Sequence, residues 1–237
     1  MNRTIRTTED VLALLDGLFP PAGPFWDRFY ADRSADRPFF APKPDENLVS
    51  YLDRGILSPS RALDLGCGPG RNAIHLAAAG FEVDAVDLSS AAVAWAEERA
   101  REAGTTANLR FHQGSIFEAE LPHHHYDLVY DSGCLHHLPP HRRVSYLALL
   151  DRVLAPNGHF AVTAFAAGSM GSERPDEELY RLGALEGGLA YTADELRSLF
   201  RDFAPLEVRP MAAQGPDSEL FGVPFLLTAL FQRTASL

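Results

Sequence analysis

A chain of 237 residues, 46% hydrophobic and 22% charged, has room for one large α/β core and too ordinary a composition for global disorder. Its 21 basic against 32 acidic side chains leave a formal net charge of −11, which excludes a nucleic-acid backbone as the main partner. Lys43 is the single lysine, so Schiff-base chemistry and a phosphate-loop lysine are excluded as well.

Cys67 and Cys134 lie far apart with no C-x-x-C spacing, which predicts neither a disulfide framework nor a thiolate metal site and fits a reducing cytoplasm. Acidic residues near the start predict no signal peptide, and the longest apolar runs, such as Val223–Phe231, are too short to span a bilayer.

In chain order, Thr7 or Thr8 followed by Glu9 and Asp10 caps an amphipathic helix that Pro20, Pro21, Gly23 and Pro24 end. Phe25, Trp26, Phe29, Tyr30, Phe39 and Phe40 then crowd a short stretch, either as a strap packed on the core or as a lid over a pocket. A helix over Glu46–Arg54 leads into a strand over Arg61–Leu65. The alternation continues with a helix from Arg71 to about Ala79, a strand over Phe81–Asp87 and a helix from Ser90 to about Ala103. Strands follow at Leu109–His112 and Tyr126–Asp131, then a helix from Arg142 to about Leu154 and a strand over His159–Phe165. A Gly-rich, charged insertion at about 166–190 holds a short helix, and Thr192 caps another helix to about Phe203. Strands near Leu206–Met211 and Pro224–Gln232 close the list. Such alternation predicts a doubly wound, mostly parallel, seven-stranded Rossmann-like sheet. Residues 1–45 form the N-terminal helix and aromatic lid, and 46–237 the ligand-binding domain.

The densest signal is Ala62–Gly80, in which a strand runs into Gly66, Gly68 and Gly70 and then into a helix, so a ligand can touch bare backbone at a helix N-terminus. Arg71 occupies the third glycine position of a dinucleotide fingerprint, with Pro69 before Gly70, which disfavours NAD or FAD. Asp64 beside the turn and the absence of a lysine favour a ligand with an ammonium or sulfonium, as in S-adenosylmethionine. Asp87 ends the next strand about 20 residues on, where a carboxylate accepts both hydroxyls of an adenosyl ribose.

Asp64–Gly70 (DLGCGPG), Val83–Ser89 (VDAVDLS), Gln113–Phe117 (QGSIF) and Tyr126–Leu138 (YDLVYDSGCLHHL) resemble the class I S-adenosylmethionine-dependent methyltransferases, in motif order from about Asn47 to Gln232. Gly70–Asn72 (GRN) is similar to the tellurite-resistance methyltransferases, and the D-x-G-C-x-H spacing of Asp131–His136 to thiopurine-type enzymes. The resemblance implies an antiparallel last strand. It also implies that Asp64, Gly66, Cys67, Gly68, Gly70 and Asn72 hold the methionine end, that Asp87 binds ribose with Ser89 next to it, that Leu88 packs beside the adenine, and that Gly114, Ser115 and Ile116 border the adenine edge. Many members carry Asp where this chain has Ser115. The product would be S-adenosylhomocysteine.

Methyl transfer is in-line displacement at carbon, so orientation and exclusion of water dominate and a dedicated base is optional. Asp131, Cys134, His136 and His137 open onto the site from a strand's carboxyl end. His136 or His137 is the candidate base, and Asp131 a candidate for catalysis or for positioning the cofactor's amino end. Cys134 and His136 would touch substrate beside the lid residues Phe25, Trp26, Tyr30, Phe39 and Phe40, which suit an apolar or aromatic acceptor or a sulfonium. His123–His125 read as solvated loop histidines, and no metal is expected.

The expected function is methyl transfer to a small-molecule acceptor, with a thiol or other soft nucleophile ahead of an amine or hydroxyl. Neither nucleic acid nor membrane is an expected partner, and monomer and homodimer stay open. The alternatives are a cofactor-binding enzyme with non-methylating chemistry, a scaffold that only holds the cofactor, or a nicotinamide-dependent oxidoreductase.

Overall fold

The structure is a computed structural model and describes residues 5–123 and 125–234. The first four residues of the N-terminal stretch, His124 of the histidine run and the last three residues lie outside the described part.

Among the described residues, three α-helices precede the sheet: α1 (Thr8–Asp16), α2 (Ala22–Ala31) and α3 (Glu46–Asp53). Thr7 and Asp10 cap α1 reciprocally, Thr7 Oγ1 accepting from Asp10 N–H at 3.1 Å and Asp10 from Thr7 N–H at 2.8 Å. The aromatic stretch, left without an assigned element by its prolines, contains α2, because Pro24 falls in the first turn, where a missing N–H costs nothing.

The sheet is built from β1 (Arg61–Leu65), β2 (Glu82–Asp87), β3 (Leu109–Gln113), β4 (Tyr126–Ser132), β5 (Leu154–Ala166), a two-residue β6 (Ala190–Tyr191), β7 (Phe203–Pro210) and β8 (Leu226–Arg233). Its order is β3-β2-β1-β4-β5-β8-β7, with β6 paired beside the end of β5. The β3-β2-β1-β4-β5 half is parallel, whereas β8 runs antiparallel to both β5 and β7. Between the strands come α4 (Arg71–Ala78), α5 (Ser90–Ala103), α6 (Arg142–Val153), α7 (Asp176–Leu182) in the insertion, and α8 (Ala193–Leu199).

Buried strands read as apolar runs because both sheet faces are covered. In β1, Leu63 and Leu65 join a core with Tyr146, Leu150 and Phe160, while Ala62 joins the opposite one with Tyr51, Leu76 and Tyr130. β5 starts at Leu154 rather than His159, since pairing of Tyr126 with Leu154 carries the strand back past an irregularity. β1 and β4 switch the direction of winding between them, so the loops beyond their carboxyl ends form the crevice where such sheets bind ligands. Among the described residues, no helix is long and apolar enough to cross a membrane.

Candidate active site

The loop after β1 lies against the crevice with glycines where a side chain would collide. Gly66 has φ +64°, and a Cβ there would come within 2.7 Å of Cys134 Cβ; Gly68 has φ +52°, and a Cβ there would meet the Tyr30 hydroxyl at 2.9 Å. Two carboxylates flank this turn. Asp87 at the end of β2 accepts from Gly68 N–H and Ser89 N–H, each at 2.8 Å, and burial raises its pKa to about 6 against those two donors. Asp64 is 2% exposed and its Oδ2 has no hydrogen-bond partner among the described residues. Burial lifts its pKa well above the usual carboxylate range, opposed by the Arg71 charge. An ammonium delivered by a ligand would satisfy that orphaned oxygen.

One cavity of about 600 Å³ opens from this cradle to the N-terminal segment. Asp64, Gly66, Cys67, Gly68, Asn72, Asp87 and Leu88 line it on the cradle side, with Ser115 and Ile116 after β3. Cys134, His136 and His137 line it after β4, and Phe25, Trp26, Tyr30 and Phe39 from above. The aromatic stretch thus both packs on the core and lines the cavity.

Five expected site residues are placed elsewhere. Asp131 is fully buried and does not reach the cavity: it accepts from Gly133, Cys134 and Leu135 N–H at 3.0, 2.7 and 3.0 Å and from the Tyr146 hydroxyl at 2.7 Å. Its carboxylate caps the 3₁₀ turn Leu135–His137 from beneath, rather than lining the cavity where the sequence put it. Gly70 faces Ala96 and Phe111 instead of the cavity. Ser89 is the N-cap of α5, Gly114 N–H donates to the Asp87 carbonyl at 2.9 Å, and Phe40 is buried edge-on against Trp95.

The two histidines form a pair. Their Nε2 atoms are 3.1 Å apart, so one donates and one accepts, and His136 stacks on Phe165 at 3.8 Å between ring centroids. Burial drives the His137 pKa down to about 4, and burial with the neighbouring His137 drives His136 well below its usual value. Both are neutral at pH 7. Trp26 of the lid meets His137 edge-on at 4.7 Å.

Sequence reasoning missed the polar floor. Arg71 is 8% exposed, pairs with Asp45, donates to the Ser132 hydroxyl at 2.9 Å and lies over the Phe221 ring at 4.2 Å. Asp45 also accepts from Tyr130 at 2.7 Å and from Asn72 at 3.1 Å, which ties the strap to the glycine turn. Asn72 is therefore engaged by the strap even though it borders the cavity. Also missed were Phe117, Phe165, Met170, Phe221 and Phe225, of which Phe165 sits in β5 and the others between elements. The lid is fixed at a point equally silent in sequence: Asp27 Oδ1 accepts from Ser89 Oγ at 2.8 Å, Ser90 Oγ at 3.2 Å and Ala91 N–H at 3.3 Å, at the N-terminus of α5.

Residues 62–158, the segment carrying the cradle and the histidine turn, match a family model described as a methyltransferase domain. An uncharacterized methyltransferase of Schizosaccharomyces pombe is 30% identical over 118 residues, which are 50% of this chain and 79% of that protein. The 27-O-demethylrifamycin SV methyltransferase of Amycolatopsis mediterranei is 30% identical over 142 residues, 60% of this chain and about half (49%) of that protein. The crystal structure of 1,6-didemethyltoxoflavin-N1-methyltransferase from Burkholderia thailandensis, with bound 1,6-didemethyltoxoflavin and S-adenosylhomocysteine, superposes with a TM-score of 0.63. At 22% identity it covers 99% of this chain and 93% of the other, and so shares the fold. With the glycine turn, the flanking carboxylates and these matches in agreement, the chain belongs to the class I S-adenosylmethionine-dependent methyltransferases.

Proposed function

We propose that this chain methylates a small acceptor held beneath the lid of residues 1–45, in the cytoplasm, and that it takes a thiol or other soft nucleophile ahead of an amine or hydroxyl. What carries this function is the junction inside one cavity, where the charged cradle of Asp64 and Asp87 meets an aromatic chamber. When bound, S-adenosylmethionine supplies an electrophilic methyl carbon on a sulfonium.

The chain's own residues do the rest. Asp64 Oδ2 is free to accept the ammonium, and the backbone at Gly66 and Gly68 admits the methionine portion closely. Asp87 has acceptor capacity left on both oxygens for ribose hydroxyls, and Leu88, Ser115 and Ile116 border the adenine end. Trp26 and Phe39 close the chamber from above and exclude water, which strengthens the cation–π attraction on a sulfonium. Support for a soft nucleophile comes from the polar groups: Asp131 is saturated, and the histidine pair spends a donor and an acceptor on itself. A thiol, partly ionised near neutral pH, needs no base.

Titration calorimetry with S-adenosylmethionine and S-adenosylhomocysteine, followed by a product-detecting screen of thiols, amines, phenols and carboxylates, tests both levels. Turnover of thiols at the highest kcat/KM is the expected result. Binding without turnover of any class would sink methyl transfer, and absent binding would sink the cradle.

A hydroxyl acceptor with His137 as base is the second reading, favoured by the name of the Amycolatopsis relative, which implies an oxygen acceptor in that protein. It predicts that His137→Gln lowers kcat at equal cofactor affinity and that the acid limb of the rate profile lies near the His137 pKa of about 4.

A further inference from the structure

The ends of the cavity differ in charge. Among the described residues, Asp64, Arg71 and Asp87 are the acidic and basic side chains that line it, and all three belong to the cradle. Arg71 is already neutralised by Asp45. The far end is a continuous belt of rings. Phe25 meets Trp26 edge-on at 5.0 Å, Trp26 meets His137 at 4.7 Å, His137 meets Phe165 at 5.7 Å, and Phe165 reaches Phe225 at 6.5 Å. Those rings come from the lid, the loop after β4, the end of β5 and the segment before β8, so the belt surrounds the chamber from several directions.

A carboxylate, phosphate or ammonium entering this end would leave water with no partner of opposite charge, and the histidines offer none because both are neutral. A flat ring loses nothing on entry and gains offset or edge-on contacts with the belt. We infer that the acceptor is an uncharged, planar aromatic molecule, with its nucleophilic atom at the ring edge that faces Cys134 and the glycine turn. This inference rests on the reading of the cradle as the cofactor's seat. In the transfer, the acceptor's lone pair forms the bond to the methyl carbon, the S–CH₃ pair returns to sulfur, and any proton on the acceptor atom leaves to solvent.

Equilibrium binding separates this from turnover. Three probes of one size are titrated by calorimetry into the full chain, with and without saturating S-adenosylhomocysteine: 2-naphthol, its carboxylated twin 6-hydroxy-2-naphthoate, and the saturated decahydro-2-naphthol. The expected order is 2-naphthol first, by about tenfold over the carboxylate and roughly threefold over the saturated ring. Phe225→Ala weakens 2-naphthol roughly threefold at unchanged S-adenosylhomocysteine affinity. Equal or tighter binding of the carboxylate, parity of the saturated ring, or no binding of 2-naphthol overturns the inference. Failure of S-adenosylhomocysteine to bind overturns the cofactor reading instead, while the order of the three probes on the ligand-free protein still decides the acceptor class.

Discussion

The cradle and the lid meet in one cavity but are built by opposite means. In the cradle, Asp64, the glycine turn and Asp87 follow one another along β1, α4 and β2, and backbone N–H groups make the contacts that fix them. Over the chamber, the lid is held by side chains reaching far along the chain: Asp27 to the start of α5, Arg33 to Glu98, and Asp16 to Arg142 and His141. A short motif held by its own backbone tolerates little change, whereas side-chain latches can loosen one at a time while the sheet stays folded. Substitutions in the cradle should therefore act on the cofactor and on folding, and substitutions in the latches on the acceptor.

The largest effect is expected at Gly66. Gly66→Val forces a β-branched residue to φ +64° and its Cβ toward Cys134, so S-adenosylhomocysteine binding is lost and stability falls by about 2 kcal/mol or more. Calorimetry and urea unfolding read the two losses, and wild-type behaviour would break the claim that the cradle is a backbone device.

Asp87→Ala comes next, with affinity for S-adenosylhomocysteine lower by roughly 100-fold as charge-assisted bonds to ribose vanish. The same carboxylate sets a pH dependence. Its pKa is raised to about 6 by burial, and the ionised form is the stronger acceptor, so cofactor affinity weakens as pH falls through about 6 and is steady above it. A calorimetric series from pH 5 to pH 8 with no change near 6 would remove Asp87 from the ribose.

Asp27→Ala sharpens the contrast from the lid side. It frees α2 from the N-terminus of α5, and the acceptor KM rises roughly threefold to tenfold while kcat changes less. An equal fall in kcat and in cofactor affinity would mean that the lid and the cradle are one unit. Arg142→Ala is the mildest change, costing about 1 kcal/mol of stability through the loss of Asp16 and the exposed Glu9, with cofactor affinity unaltered.

The same division governs how much could be read in advance. The order of strands and helices, the glycine turn and the capped starts of α1 and α8 were legible because each depends on residues within a few turns of one another. α2 was hidden by prolines that a first helical turn accommodates, and the loop-capping contacts of Asp131 were not legible because its spacing to the histidine turn suits a ligand and a loop cap equally well. Phe221 and Phe225 carried no signal of a place in the site, since nothing local says that their segment folds back onto Arg71 and Phe165.

Composition and short-range pattern by themselves determined that this chain is a doubly wound α/β protein with a backbone cradle for an adenosyl cofactor, because periodicity, turn chemistry and charge are local properties. Only the tertiary structure decided that the far end of the cavity is uncharged and aromatic, that Asp45 neutralises Arg71, and that the histidines are paired and neutral. Those are matters of burial and of contact between segments up to half the chain apart, and burial, which sets the protonation of both histidines, exists only once the lid, the insertion and β8 have packed together.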